Sequence, residues 1–397
     1  MSFLDVNDLN YLLESVKNEK QNIYKSVRIA TNSNHMSYLK RSKFNHKINE
    51  LNKSVREFKL YTKDNEFIDS FHYPYYPGTS EYALNLTRNK FRAEKHFSKC
   101  GFRTTNSKFY YFSESELALN EVFETDDKKK VVIKPLNSSL GRGVFVNVSK
   151  NRFLDNWELS KADLKASEVK DEANLKFIVQ DFIPGFEARA TILHGNLVSI
   201  LARIPPYVKG DGKSSLAELI SEKNNHRKKC KYLNTHPIKI TSKIKEFLKS
   251  QNKTVDYIAD NNEYVLLSSV SNISGGGEII NITNKVSNHV KDFALNVLAS
   301  IPGINTGGLD IILNSFDDHD PVILEANTYP YISLTKYPTY GQSDSPSKII
   351  FESLVAVHQF GKDNVEKYDI ENSDLYIKNY IDFTKRCNKY VNTYMNL

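Results

Sequence analysis

The segment that decides the fold is the stretch VVIKPLNSSLGRGVFVNV, residues 131–148. Its apolar ends predict two β-strands, and its centre of serine and glycine predicts a turn between them. Lys134 stands at the end of the first strand, where its ammonium group can serve as a point charge for a phosphate. Gly141 and Gly143 allow backbone N–H groups to approach phosphate oxygens closely. Alone, the segment is equally compatible with an ordinary β-hairpin, so its meaning depends on the rest of the chain.

Two strand-like runs further along the chain carry oxygen ligands. The first contains Asp310, and the second contains Glu325 and Asn327, two positions apart. Because alternate residues of a strand face the same side, Glu325 and Asn327 should converge on one point. A turn at residues 317–320 would pair the two strands and bring Asp310 alongside. Carboxylate and amide oxygens suit a Mg²⁺ ion that bridges nucleotide phosphates. The alternative, solvated acids at strand ends, is weakened by three oxygen-bearing residues on facing strands.

The order and spacing of these motifs resemble the ATP-grasp superfamily of carboxylate–amine ligases, from about Asn89 to about Leu354. The resemblance implies an α+β protein with the ATP-grasp fold, in which two α+β lobes grip ATP between antiparallel sheets, here with a short N-terminal lobe. It implies ATP and Mg²⁺ as cofactors, with two ions typical of the family and Mn²⁺ as a substitute. Within the superfamily, the segments 187–189, 201–208, 210–220 and 274–283 are similar to cyanophycin synthetase and to the glutathione-synthetase part of bifunctional glutathione enzymes.

The resemblance also implies roles for individual residues. Two lysines would hold the α and β phosphates, a glycine loop would close over the triphosphate, a hinge would hold adenine, and an acid would hold ribose. The implied nucleotide-binding residues are Lys90, Lys134, Ser138, Ser139, Gly141, Gly143, Val144, Gln180, Asp181, Phe182, Ile183 and Glu187. The implied metal ligands are Asp310, Glu325 and Asn327. Gln180 stands where a carboxylate is common, but its carbonyl oxygen can still accept a hydrogen bond from the adenine amino group.

Two arginines on consecutive predicted strands, Arg189 and Arg203, are the predicted catalytic residues. The guanidinium of Arg203 presents a fork of donors to an oxyanion, so we expect it to stabilise the tetrahedral intermediate or the transferred phosphoryl group. Related ligases carry an arginine where this chain has Ser274, which leaves Arg203 to carry this charge alone. The alternative for both arginines is a surface strand charge. Tyr331 occupies a family glycine position, where its ring would either shape the substrate pocket or simply pack.

The domain organisation is predicted from composition and from these motifs. Residues 1–88 form an N-terminal substrate lobe, which begins with an amphipathic helix near residues 6–20. Residues 89–184 form the small nucleotide lobe, and residues 185–362 form the large lobe with the metal site. Residues 363–397 form a helical tail that serves packing or oligomer contact.

The composition favours a soluble enzyme. The chain has 397 residues, of which 40% are hydrophobic and 25% charged, enough for the cores of two or three lobes. Its net charge of +7 suits an enzyme that binds ATP and a carboxylate. Lysine and arginine are dispersed except in two basic runs, at residues 128–130 and 227–231, which we interpret as solvated loops. Both runs lack the interleaved aromatics of a single-strand binder, so we expect no nucleic-acid partner.

The location is predicted from the cysteines, the start of the chain and its apolar runs. Three separated cysteines do not indicate a disulfide framework. The start resembles no secretory signal, and no apolar run reaches membrane length. We therefore expect a cytoplasmic protein without a membrane partner, for which a homodimer is one allowed state.

The leading hypothesis is an ATP-dependent ligase that acts on small-molecule substrates. It would form an amide or peptide bond between a carboxylate and an amine through an acyl phosphate, and release ADP and phosphate. The alternative is a catalytically inactive ATP-grasp-like protein with a binding or coat-associated role. The intact lysines and oxygen ligands argue against that alternative. The sequence leaves the donor acid and the acceptor amine open.

Overall fold

The computed structural model describes residues 4–51, 54–136, 143–165, 176–271, 273–391 and 393. The helices are α1 (Val6–Glu14), α2 (Thr31–Leu39), α3 (Glu81–Arg88), α4 (Lys90–Lys99), α5 (Ser115–Phe123), α6 (Phe153–Lys165), α7 (Leu216–Arg227), α8 (Lys231–Asn234), α9 (Ser242–Ser250), α10 (Asn288–Ala299), α11 (Ser333–Lys336), α12 (Pro346–Gln359) and α13 (Ser373–Lys389). The strands are β1 (Asn45–Leu51), β2 (Ser54–Tyr61), β3 (Phe67–Phe71), β4 (Lys108–Tyr111), β5 (Val131–Pro135), β6 (Phe145–Val148), β7 (Lys176–Asp181), β8 (Phe186–Leu193), β9 (Asn196–Ile204), β10 (Tyr207–Lys209), β11 (Tyr264–Leu266), β12 (Glu278–Asn281), β13 (Gly307–Leu313) and β14 (Val322–Asn327).

The small sheet has the strand order β4-β7-β5-β6, with antiparallel neighbours throughout. Strands β5 and β6 pair as the sequence predicted. One face of this sheet packs in a core beneath α5 and α6, to which Ile133, Val179 and Trp157 belong. Because side chains alternate along a strand, Lys134 and Gln180 lie on the opposite face. That face is therefore available to line a cleft.

The large sheet has the strand order β12-β9-β8-β13-β14, again with antiparallel neighbours. Its two faces differ sharply in chemistry. One face contributes small and aliphatic side chains, among them Ala188, Ala202 and Leu309, to the main hydrophobic core with α10. By the same alternation, the other face carries charged side chains, which are Glu187, Arg189, Arg203, Asp310 and Glu325. The large sheet thus has one charged face and one aliphatic face, and the aliphatic face is packed in the hydrophobic core.

The first helix begins where the sequence predicted and ends earlier. Asp5 and Asp8 form a reciprocal capping box at its start, which satisfies two backbone N–H groups. The helix ends at Glu14 rather than near residue 20. Hydrogen-bonded turns follow, and they keep Val16 buried. The helical spacing of apolar residues therefore extends beyond the helix itself, because the turns keep Val16 on the same buried side as the apolar residues of α1.

The rest of the N-terminal segment packs in a different place from α1. Helix α2 and the three-stranded sheet β1-β2-β3 share a core with α12, whereas α1 joins the core of the large sheet. His35 lies at the centre of the former core, with its ring nitrogens 3.0 Å from Ser347 Oγ and 2.8 Å from Tyr76 Oη. Burial lowers the pKa of His35 to about 3, so the ring is neutral. The predicted boundary at residue 88 stays a prediction.

The C-terminal helix packs on the large lobe. Phe383 of α13 belongs to the core of the large sheet, and Tyr376 joins the core around α12. Arg386 of α13 binds Asp292 of α10 with an N–O distance of 2.5 Å. The predicted helix is thus present and makes its packing contacts within the chain. None of the helices in the ranges given above has the length and apolarity needed to cross a membrane.

Candidate active site

A cavity of about 830 Å³ lies between the small sheet and the charged face of the large sheet. We call it the interlobe cavity. The predicted site residues that line it are Lys90, Lys134, Val144, Glu187, Arg189, Arg203, Asp310, Glu325 and Asn327. These nine predicted nucleotide, metal and catalytic residues therefore share one space, although they come from distant parts of the sequence.

The three predicted metal ligands converge as the sequence indicated. Strands β13 and β14 pair so that Asp310 lies directly opposite Glu325. The amide nitrogen of Asn327 lies 3.4 Å from Glu325 Oε1, which confirms that these two side chains share a side. No group of three or more His, Cys, Asp or Glu side chains in the described ranges is arranged to hold a metal ion. The amide oxygen of Asn327 would therefore have to complete an all-oxygen donor set, which fits the preference of Mg²⁺.

Arginines occupy both oxygens of Asp310. The guanidinium of Arg189 binds Asp310 through Nε to Oδ1 and through Nη2 to Oδ2, the latter at 2.6 Å. Arg203 Nη2 donates to Asp310 Oδ1 at 2.9 Å, and its Nη1 donates to Glu187 Oε1 at 2.6 Å. Burial alone would raise the pKa of Asp310, but the neighbouring arginine charges outweigh it and lower that pKa. For Glu187, burial is the dominant effect and raises the pKa.

Neither predicted arginine is a surface strand charge. The side chains of Arg189 and Arg203 are only 11% and 16% exposed. The Nε of Arg203 is buried and has no hydrogen-bond partner among the described residues. A buried donor without a partner costs free energy, so this N–H is suited to an oxyanion that arrives with a ligand.

The two predicted phosphate-binding lysines approach the same region from different elements. Lys90 is the first residue of α4, whose N-terminus is capped by Asn89, and its Nζ lies 3.5 Å from Glu325 Oε2. Lys134 is the penultimate residue of β5 and is 7% exposed. Its ammonium makes no ion pair with the described residues. Burial, with repulsion from Lys90, lowers the pKa of Lys134 to about 8.

The predicted hinge residues are placed at the end of β7. Gln180 is 3% exposed. Its side chain is held by Glu94, Thr105 and Ser107 on the face of the small sheet opposite the hydrophobic core. Asp181 binds Lys129 at 2.6 Å, and the backbone N–H of Phe182 donates to the carbonyl oxygen of Lys130. Ile183 is partly buried in the connection that follows. None of these four residues belongs to the lining of the interlobe cavity.

A glycine makes the passage from this hinge into β8 possible. Gly185 has a φ of +121°, and an added Cβ would lie 2.4 Å from the carbonyl oxygen of Leu313. Only glycine fits this close approach. Glu187 follows two residues later and reaches the interlobe cavity.

The glycine loop is described only at its C-terminal end. Ser138, Ser139 and Gly141 lie outside the described residues. Gly143 has a φ of +63°, and its carbonyl oxygen accepts a hydrogen bond of 2.6 Å from Ser160 Oγ. Val144 lines the interlobe cavity. Helix α6 thus anchors the end of the predicted phosphate loop.

An aromatic wall of the cavity was missed by the site prediction, except for Tyr331. Tyr73 and Pro74 reach the cavity from the N-terminal segment, and Tyr232 reaches it from α8. Tyr331 lines the cavity with 40% of its surface exposed. Tyr329 stacks on Tyr76 at 4.7 Å between ring centroids, which ties the end of β14 to the N-terminal segment. The only sequence signal was the tyrosine- and proline-rich run YPYYPG at residues 73–78.

Comparison with known proteins extends this description. No protein-family model matches the sequence. The "Glutathione biosynthesis bifunctional protein GshAB" of Mannheimia succiniciproducens is 30% identical over 269 residues, which make up 65% of this chain and 34% of that protein. "Cyanophycin synthetase" of Synechocystis is 28% identical over 240 residues, 58% of this chain and 26% of that protein. The chain therefore matches about a third or less of the length of these relatives.

A solved structure shows the same fold. The bifunctional glutathione synthetase from Pasteurella multocida aligns with a TM-score of 0.53 and 22% identity, over 78% of this chain and 42% of that chain. The fold is the ATP-grasp fold, as the sequence predicted. In sequence, this chain is related to the bifunctional glutathione proteins and to cyanophycin synthetase.

Proposed function

We propose that this chain is an ATP-dependent carboxylate–amine ligase that forms an amide or peptide bond through an acyl phosphate. The carrying observation is that Lys90 and Lys134 face the acids and arginines of the large sheet across one cavity. The names of the relatives support the proposal, since they describe glutathione biosynthesis and a synthetase. A cytoplasmic location fits an enzyme that consumes ATP.

Nucleotide binding would use both sides of the interlobe cavity. Phosphoryl transfer depends mainly on positioning and on the neutralisation of phosphate charge. Lys90 and Lys134 are suited to the α and β phosphates, and the loop that ends at Gly143 and Val144 is suited to cover them. Glu187 would hold the ribose, and the hinge 180–183 would hold the base.

A divalent cation is the remaining requirement. Asp310, Glu325 and Asn327 would hold Mg²⁺, with two ions expected and Mn²⁺ as a substitute. An ion held there would neutralise part of the phosphate charge. The acids Glu187, Asp310 and Glu325 are matched by nearby Arg189, Arg203 and Lys90. This charge balance suits a nucleotide triphosphate that binds together with its divalent cations, because the triphosphate and its cations carry little net charge between them.

The bond-making steps follow from the chemistry of carboxylates. An oxygen of the donor carboxylate attacks the γ phosphorus, the bond to ADP breaks, and an acyl phosphate forms. The neutral amine then attacks the acyl carbon, the bond from that carbon to the phosphate oxygen breaks, and the proton lost by nitrogen leaves with the phosphate as hydrogen phosphate. Arg203 is the residue best placed to stabilise the charged oxygen, because its buried Nε has no partner among the described residues. Arg189 would act through Asp310, whose carboxylate it holds.

Among the described residues, the interlobe cavity holds no thiol that could form a covalent acyl-enzyme. Cys100, Cys230 and Cys387 do not line the interlobe cavity. An acyl phosphate is therefore the intermediate that the residues favour.

The deciding experiment is a screen for ADP and phosphate over pairs of amino acids and small carboxylates, with Mg²⁺ and ATP. The expected result is one class of pair that raises ADP formation well above the rate without substrate and gives a condensed product. A protein that binds ATP and yields no product with any pair would support the alternative of an inactive binding protein. A protein that binds no nucleotide would refute both.

A further inference from the structure

The side-chain amide of Gln180 has one end fully bonded and the other end unpartnered. Its Nε2 donates to the hydroxyl oxygens of Thr105 and Ser107, the latter at 2.7 Å, and to Glu94 Oε2 at 3.3 Å. Its Oε1 is buried and has no hydrogen-bond partner among the described residues. Buried acceptors are nearly always satisfied in native proteins, so an unpartnered one points to a donor that is supplied from outside.

Glu94 determines the orientation of the Gln180 amide group, that is, which side its nitrogen and its oxygen each face. Its Oε1 accepts the backbone N–H of Ser107 at 2.6 Å. Its Oε2 accepts the hydroxyl proton of Thr105 at 3.1 Å and that of Ser107. A hydroxyl has a single proton, so both hydroxyls present only lone pairs to Gln180. The reversed amide would place Oε1 against those lone pairs and against the carboxylate.

Gln180 lies on the face of the small sheet from which Lys134 reaches the interlobe cavity, although Gln180 itself does not line that cavity. Gln180 lies directly opposite Val132 in the neighbouring strand, and Lys134 follows Val132 two residues later. Cross-strand partners and alternate residues share a face, so Gln180 and Lys134 lie on the same side. Lys134 lines the interlobe cavity, while Ile133 and Val179 fill the core behind the sheet.

We propose that Glu94 is a positioning residue that makes Gln180 an obligate hydrogen-bond acceptor, and that this arrangement selects a purine with a 6-amino group. A 6-amino group donates to Oε1, whereas a 6-oxo group would face it with lone pairs. The inference rests on the nucleotide site of the proposed function. It adds a residue, Glu94, that does not line the interlobe cavity and acts on Gln180 through two hydroxyl groups and through a direct contact with Nε2.

The test compares ATP with inosine triphosphate, which differs at C6 of the base and keeps the same triphosphate. Dissociation constants of both are measured by calorimetry with Mg²⁺. The wild type should prefer ATP by at least about tenfold, because a mismatched pair leaves a buried acceptor unpaired. In Glu94→Gln, the new amide can donate to the hydroxyl groups of Thr105 and Ser107, which frees their protons. Gln180 can then turn either its nitrogen or its oxygen toward the base. The preference should then fall to within about threefold.

A double variant separates positioning from structural support. In Glu94→Gln/Gln180→Glu, the carboxylate at position 180 has two acceptor oxygens and no donor, so it needs no orientation. The preference for ATP should return to at least about half of the wild-type ratio. A merely structural role of Glu94 predicts no such rescue. Glu121→Gln is the matched control, because Glu121 accepts a tyrosine hydroxyl in the same lobe outside the cavity, and it should leave the ratio unchanged.

Further outcomes are decisive in either direction. If Glu94→Gln does not fold, Ser107→Ala removes one linking hydroxyl without removing a charge and should still lower the ratio. Equal affinity of the wild type for both nucleotides, or an unchanged ratio in Glu94→Gln or in a folded Ser107→Ala, would overturn this inference alone. Absence of any nucleotide binding by the wild type would instead refute the proposed function.

Discussion

Arg189 lies directly opposite Asp310 in adjacent strands, and its guanidinium holds both oxygens of that carboxylate. The predicted metal ligand is thus already paired with a cation of the protein itself. This ion pair compensates two buried charges in the absence of nucleotide. It also means that a metal ion must share Asp310 with the arginines.

The first prediction concerns this pair. Arg189→Met should lower the free energy of unfolding by about 3–5 kcal/mol, because it removes the main partner of a buried carboxylate. Arg189→Met/Asp310→Asn should recover much of the loss, since no uncompensated charge remains. Urea denaturation measures both. Arg386→Met, at an ion pair whose acid is half exposed, serves as control and should cost less than about 1 kcal/mol. Additive effects of the two site substitutions would contradict the coupling.

The same pair predicts a pH dependence of stability. The folded-state pKa of Asp310 lies below its ordinary value of 3.8. Its contribution is therefore fully present above pH 3.8 and is lost as the pH falls through the folded-state value. Asp310→Asn should show a shallower loss of stability in acid than the wild type when unfolding is followed from pH 5 to pH 2. Parallel curves for the two proteins would show that Asp310 does not titrate in this way.

The second prediction concerns the metal ligands. Asp310→Asn and Glu325→Gln should each reduce ADP formation by at least about a hundredfold, because each removes a charged oxygen ligand from the predicted cation. Asp320→Asn is the control, since its side chain lies near the same hairpin, is 66% exposed and pairs with Arg103 on the surface. Activity is measured with the substrate pair found in the screen. Near-normal ADP formation in both site variants would rule out the assignment.

The third prediction concerns Lys134. Its pKa of about 8 means that a fraction of the free protein lacks this charge at pH 8, whereas a bound triphosphate favours the ammonium form. ATP binding at pH 8 should therefore take up protons, and the affinity should decline as the pH rises further. Calorimetry in two buffers of different ionisation enthalpy measures the uptake. Lys134→Ala should lose the uptake and bind ATP at least about tenfold more weakly, while Lys130→Ala on the neighbouring loop should change neither. Identical uptake in wild type and Lys134→Ala would place the titration elsewhere.

The fourth prediction separates an acyl phosphate from other routes. Heavy oxygen placed in the donor carboxylate should appear in the released phosphate, and the nucleotide product should be ADP. Arg203→Ala should lower kcat by at least about a hundredfold and change the dissociation constant of ATP little, because its role lies in the transition state. Arg103→Ala is the matched surface control. Release of AMP, or phosphate without label, would exclude the acyl-phosphate mechanism.

Parts of the site that depend on short stretches of sequence were predictable. The hairpin of Asp310 and Glu325 follows from two apolar runs and a turn, and the convergence of Glu325 with Asn327 follows from the period of a strand. The glycine-rich hairpin around Lys134 follows from the same reasoning. In each case the geometry is set by residues that are close in the sequence.

Other relationships depend on strand register between distant segments, and the sequence offers no local signal for them. Arg189 faces Asp310 because β8 and β13 are neighbours with a particular alignment. Glu94 of α4 meets Gln180 of β7 only in the folded chain, where their side chains lie 3.3 Å apart. The aromatic wall also required the path of the N-terminal segment across the large lobe. Both arginines were identified by resemblance, but their pairing with acids was not.

The stack of Tyr76 on Tyr329 connects the N-terminal segment with the residues that follow β14. Asn327, at the end of the predicted metal hairpin, is followed two residues later by a ring that rests on the N-terminal segment. The wall formed by Tyr73 and Pro74 is therefore contributed by a part of the chain that holds none of the proposed phosphate chemistry. Under the proposed function, substitutions in that wall would reshape the substrate pocket while the strands that carry the reaction stay unchanged. On that reading, substrate choice can change in this segment without any change to the proposed catalytic residues.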